Sequence, residues 1–145
     1  MSSEISYGML DGLVGYHLRR AQAKIFSDLM ETFAEDQVTP GQFGVLVLID
    51  TNTGLSQSSL ARALGIERST MVGVIDTLEK RDLVKRLKSQ TDKRAHALEL
   101  TSKGLALLNT VKPKVTAHEK RMVSGLREGE IKTLLELLKR LRPDV

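Results

Sequence analysis

The chain has no cysteine among its 145 residues, which excludes disulfides, thiolate metal sites and thiol redox switching. No apolar run approaches bilayer-spanning length, and the opening MSSEISYGMLDG lacks the basic start and apolar stretch of a secretory signal, so a cytoplasmic protein away from membranes is expected. Catalytic signatures are missing as well. His17, His96 and His118 are scattered, no histidine or carboxylate pair has metal-site spacing, and GLVG lacks the strand-to-helix setting of a nucleotide loop. No catalytic residue, metal or cofactor is expected, and the chain reads as a binding protein rather than an enzyme.

What is present is a mildly basic sequence, with 22 Lys and Arg against 18 Asp and Glu, of a length that suits one domain. Between Ser56 and Thr101 nine basic side chains face six acidic ones, so this segment holds most of the surplus. It could meet a polyanion, or be an ordinary solvated surface.

Apolar periodicity gives the order of elements. Leu10, Leu13, Val14, Leu18, Ala21, Ile25, Leu29 and Phe33 predict one long helix reaching almost to Asp36. VTPGQF predicts a second helix, with Thr39 as N-cap, Pro40 in the first turn, Gln42 closing a capping box and Val38 stapled to Phe43. Ser56 caps a short third helix that Gly65 ends in the left-handed conformation. A fourth runs from about Glu67 to Arg81 with Met71, Val74, Ile75 and Leu78 on one face, Ser69 competing with Glu67 for the cap. Two helices joined by a short Gly-containing turn make a helix-turn-helix. LVKRLK and AHALEL then read as a β-hairpin around a charged tip, and Thr101 caps a fifth helix that Pro113 should bend or interrupt. Leu126 and Ile131 can staple a final helix whose leucines exceed what a lone outer helix needs. The fold class is mainly α with a small hairpin wing (α+β): a winged helix-turn-helix with helices at both ends.

In order, spacing and residue type, VTPGQFGVLVLI, LSQSSLARALGI, STMVGVIDTLEKRDLVKR and DKRAHALEL followed by LTSKG resemble the MarR family of winged-helix transcription regulators. The Asp-x-Arg wing followed by an apolar strand and Thr-x-x-Gly is the most specific part. The resemblance implies a single domain over 1–145, in which 1–36 and 102–145 form dimerisation helices and 37–101 the DNA-binding head. It further implies a homodimer on a palindromic operator, acting as a repressor released by a small effector such as an aromatic acid or thioester. A ligand-independent DNA-binding protein and a winged-helix interaction module without DNA binding are the competing readings. Gly73, Asp82 and Arg127 depart from the family's usual polar or basic residue, glycine and Ser/Thr cap.

On that frame the fourth helix offers Arg68, Ser69, Thr70, Val72, Gly73 and Thr77 to the major groove, where Arg68 can pair bidentately with guanine or hold a phosphate. Ser56, Gln57 and Ser58 with Arg62, Arg86 and Lys88 suit backbone contacts. At the wing tip Asp92, Lys93 and Arg94 meet the minor groove, whose negative potential attracts Arg94 while Asp92 orients its guanidinium. His17, Arg19 and Arg20, polar in an otherwise apolar stretch, are candidates for an effector pocket; a core or interface histidine beside solvated arginines is the alternative.

The wing reading makes a prediction of unusual sign. Arg94→Ala should cost about 1–3 kcal/mol of operator binding without altering thermal stability. Asp92→Ala should also weaken binding, although it deletes a negative charge. Titration of both single variants and the double variant checks this, and tighter binding by Asp92→Ala would reduce the tip to a charged turn.

Overall fold

The computed structural model describes residues 4–88 and 96–142. A short 3-10 helix, Gly8–Gly12, precedes α1 (Val14–Phe33), α2 (Pro40–Thr51), α3 (Gln57–Leu64), α4 (Arg68–Lys80), β1 (Val84–Lys88), β2 (His96–Leu100), α5 (Ser102–Met122) and α6 (Glu128–Arg140). The two strands pair antiparallel, Val84 opposite Leu100 and Lys88 opposite His96. Leu98 N–H also donates to the Leu55 carbonyl at 2.9 Å, fastening the hairpin to the α2–α3 connection.

Local chemistry explains most boundaries. Thr39 Oγ1 accepts from Gln42 N–H at 3.1 Å while Gln42 Oε1 accepts from Thr39 N–H at 3.1 Å, so the capping box at α2 is closed. Ser56 Oγ accepts from Ser59 N–H at 3.1 Å, and Gly65 ends α3 at φ 64°. Two further helix ends use the same left-handed turn without glycine. After α1, Gln37 sits at φ 55° while Val38 N–H reaches the Phe33 carbonyl; after α4, Asp82 sits at φ 57° while Leu83 N–H reaches the Leu78 carbonyl. Asp82 thus fills the position where the resemblance led one to expect glycine.

The structure corrects three expectations. The first helix is not continuous from Leu10: Leu13 is extended (φ −95°, ψ 122°), and α1 begins at Val14. Gly8, Gly12 and Gly15 weaken helical order in this stretch, and none of its residues is buried to compensate. Ser69 does not cap α4, which starts at Arg68 behind Glu67 with no side-chain cap. Pro113 does not interrupt α5, which runs through it. The bond Pro113 cannot donate is offset by anchors on both sides: Leu108 and Val111 are buried before it, and His118 after it.

The core joins Phe33, Val45, Leu46, Leu60, Met71, Ile75, Leu78, Val84, Leu98, Leu108 and Val111, so it lies among the end of α1, α2–α4, the hairpin and the first half of α5. α6 contributes no buried residue, and its Leu134, Leu135 and Leu137 are exposed, as is Leu141 at its end. Among the described residues no helix is long and apolar enough to cross a membrane.

Hairpin and α5 meet at a contact too close for a side chain: a Cβ on Gly104 would collide with the Leu83 carbonyl. Gly104→Ala should therefore destabilise the protein by about 1–3 kcal/mol, measurable by denaturant unfolding, because backbone rather than a flexible side chain would have to move.

Candidate nucleic-acid interface

α3 and α4 form the helix-turn-helix, and burial separates the two faces of α4 cleanly. Met71, Ile75 and Leu78 are buried, whereas Arg68, Ser69, Thr70, Val72, Gly73 and Thr77 are all exposed. A Cβ at Gly73 would meet nothing within 4 Å, so internal packing does not require glycine there. Its missing side chain leaves room only on the outer surface.

The polar residues of this face are partly engaged with one another. Arg68 Nη2 donates to Ser58 Oγ at 2.7 Å, which joins the first turn of α4 to that of α3. Thr77 Oγ1 donates to the Gly73 carbonyl at 2.9 Å. Arg86 reaches from β1 to α4, with Nη2 2.8 Å from Asp76 Oδ1 and Nε 3.4 Å from Glu79 Oε2. Arg86 therefore braces β1 against α4. Arg62 and Lys88 are exposed, and Ser56, Gln57 and Ser58 lie half-buried at the start of α3. Asp92, Lys93 and Arg94 lie outside the described residues.

The start of α1 carries an aromatic and cationic cluster. Tyr7, Asp11, Tyr16, His17, Arg20 and Ala21 line an open depression of about 410 Å³. Arg20 Nη1 donates to the Tyr16 hydroxyl at 2.9 Å, with the guanidinium 5.9 Å from that ring's centroid. The bond to Tyr16, followed by the influence of Tyr7, holds the Arg20 pKa above its ordinary value. His17 Nε2 lies 2.7 Å from the Asp11 carbonyl. His17 and Arg20 are thus brought together, while Arg19 is not part of the lining. Tyr7 and Tyr16 escaped the sequence reading; the four-residue step from Tyr16 to Arg20 was the available signal.

The family model named MarR family matches residues 38–96, from the residue before the α2 cap into the second strand. A Thauera aromatica protein described as a transcriptional regulatory protein for the hcr operon is 38% identical over 140 residues, covering 96% of this chain and 84% of the relative. The transcriptional repressor CouR, solved bound to a 23-mer DNA duplex, is 41% identical with a TM-score of 0.91, over 96% of this chain and 99% of CouR. CouR bound to p-coumaroyl-CoA is 38% identical with a TM-score of 0.86, over 98% of this chain and 100% of that one. The chain belongs to the MarR family. It is accordingly a winged-helix transcription regulator, with α3 and α4 as its helix-turn-helix.

One cluster of this MarR-family chain was invisible in the sequence. His118 of α5 is 1% exposed, and its Nδ1 lies 2.7 Å from Asp28 Oδ1 on α1. Arg121 Nη2 donates to the same oxygen at 2.9 Å and to Thr32 Oγ1 at 3.3 Å. The two bonds, His118 first and Arg121 second, hold the Asp28 carboxyl below its usual pKa. Ninety residues of sequence separate Asp28 from His118, so no local pattern could pair them.

A depressed carboxyl pKa contributes stability above the unfolded carboxylate range and loses it as pH falls through the folded value. Asp28→Asn should therefore be less stable than the wild type at neutral pH, and the gap should close on acidification. Thermal unfolding across the acid range checks this; a gap independent of pH would mean that the carboxylate charge contributes nothing.

Proposed function

We propose that this protein is a homodimeric repressor that reads a palindromic operator and lets go of it when a small aromatic acid or its thioester binds. The observation that carries the reading is the bare, exposed outer face of α4 in a chain that matches DNA-bound CouR over nearly its whole length. Residues 1–36 and 102–145 serve as dimerisation helices and 37–101 as the head, a division supported by the exposed leucines of α6 and the core's concentration in the head. The dimer acts in the cytoplasm, by binding and without catalysis.

In the head, Arg68, Ser69, Thr70, Val72, Gly73 and Thr77 approach bases, with Arg68 exchanging Ser58 for guanine or phosphate. Ser56, Gln57, Ser58, Arg62 and Lys88 contact the backbone; Arg86 assists from its carboxylate pair, and Asp92, Lys93 and Arg94 occupy the minor groove. At the arm, Arg20, with Arg19 alongside, supplies positive charge and His17 a polar ring nitrogen beside two aromatic rings. That chemistry suits an aromatic acid or a phosphate-bearing thioester such as the p-coumaroyl-CoA bound by CouR.

Selection from randomised duplexes should yield a two-fold symmetric site with half-sites about one helical turn apart, bound less tightly as salt rises. p-Coumaroyl-CoA should release that duplex, while Arg20→Ala should retain it in the thioester's presence. A selected site without two-fold symmetry, or affinity indifferent to salt, would overturn the operator reading. Release of the Arg20→Ala, Arg19→Ala and His17→Ala variants at wild-type thioester concentrations would place the effector elsewhere.

A further inference from the structure

The end of α4 is clasped by two other parts of the chain. Arg81, which caps α4, donates from Nη1 to the Gln37 carbonyl at 2.6 Å and from Nη2 to the Asp36 carbonyl at 3.4 Å. Both acceptors belong to the corner between α1 and α2, more than forty positions away in the sequence. That corner is itself fixed. Gln37 is held in the left-handed turn at φ 55°, and Asp36 Oδ2 accepts from Lys114 Nζ of α5 at 2.6 Å. α5 and its cap reach the same end of α4: Lys103 Nζ donates to the Arg81 carbonyl at 3.2 Å, and Thr101 Oγ1 to the Asp82 carbonyl at 2.6 Å.

Lever geometry gives this clasp a consequence. α4 contains 13 residues and so spans about 20 Å from Arg81 to Arg68. Turning α4 by about five degrees at Arg81 would move Arg68 by nearly 2 Å at the other end, and two-fold symmetry doubles the change in separation to about one base-pair rise of 3.4 Å. Arg81 has its guanidinium on the α1–α2 corner, away from the exposed face of α4, so it acts on the angle rather than on the nucleic acid.

We propose that Arg81 is a positioning residue that fixes the recognition helix against the arm and thereby sets the half-site spacing the dimer accepts. The inference rests on the dimeric operator reading above. A residue that merely holds the fold together would weaken binding to every duplex alike, whereas an angle-setting residue changes which duplex is preferred.

The test uses the full chain and the duplex selected by the wild type, together with versions in which one base pair is inserted or removed between half-sites. Wild type should bind the native spacing about tenfold or more better than either altered one. Arg81→Met keeps most of the aliphatic stem and removes both donors; it should reduce that preference at least threefold, by losing affinity for the native spacing more than for the others. Unchanged preference, or equal weakening on all three duplexes, would overturn the proposal. If Arg81→Met does not fold, Arg81→Lys, able to hold one carbonyl, carries the test, and a wild-type spacing preference in it would overturn the proposal. A wild type indifferent to spacing would instead remove the operator reading, and this inference with it.

Discussion

The backbone of Leu83 lies against Gly104 with no room for a side chain, and the junction of α4, β1 and α5 is referred to that contact. Thr101 completes it with three bonds. Its N–H donates to the Leu83 carbonyl, its hydroxyl donates to the Asp82 carbonyl, and the same oxygen accepts from Gly104 N–H as the cap of α5. The end of α4, the start of the wing and the start of α5 therefore meet within a few residues. Because α5 continues past Pro113 to the His118–Asp28 pair, orientation fixed at this corner extends along the helix to α1.

How much of this was legible depends on how local each cause is. The caps Thr39, Ser56 and Thr101 and the inward faces of α2 to α4 could be read directly, since the residues that determine them lie within one or two turns. The end of α1 could not, because Gln37 is an ordinary residue whose left-handed turn is secured by Arg81 from another helix. Pro113 fails to end its helix for the same reason in reverse: the local break is offset by packing on either side. At Leu13 the opposite holds, since an apolar rhythm without a core to bury it did not sustain a helix.

The candidate interface was legible as a surface but not as a set of partners. Periodicity alone separated Met71, Ile75 and Leu78 from Arg68, Val72, Gly73 and Thr77. Charge counting gave no hint that Arg86 is paired with Asp76 and Glu79, or that Arg81 is occupied by carbonyls. These bonds leave the basic surplus between Ser56 and Thr101 intact but fix where two of its cations lie, so the field at the outer face depends on placement as well as on the sum.

The aromatic cluster at the start of α1 has a spectroscopic consequence. The sequence holds two tyrosines and no tryptophan, and both tyrosines stand in the same depression, 6.2 Å apart. Tyrosine emission thus originates beside Arg20 at the start of α1, while α2–α6 and the two strands carry neither indole nor phenol. A change in tyrosine emission on adding DNA, after correction for absorption by the nucleic acid, would report on the start of α1 without a label.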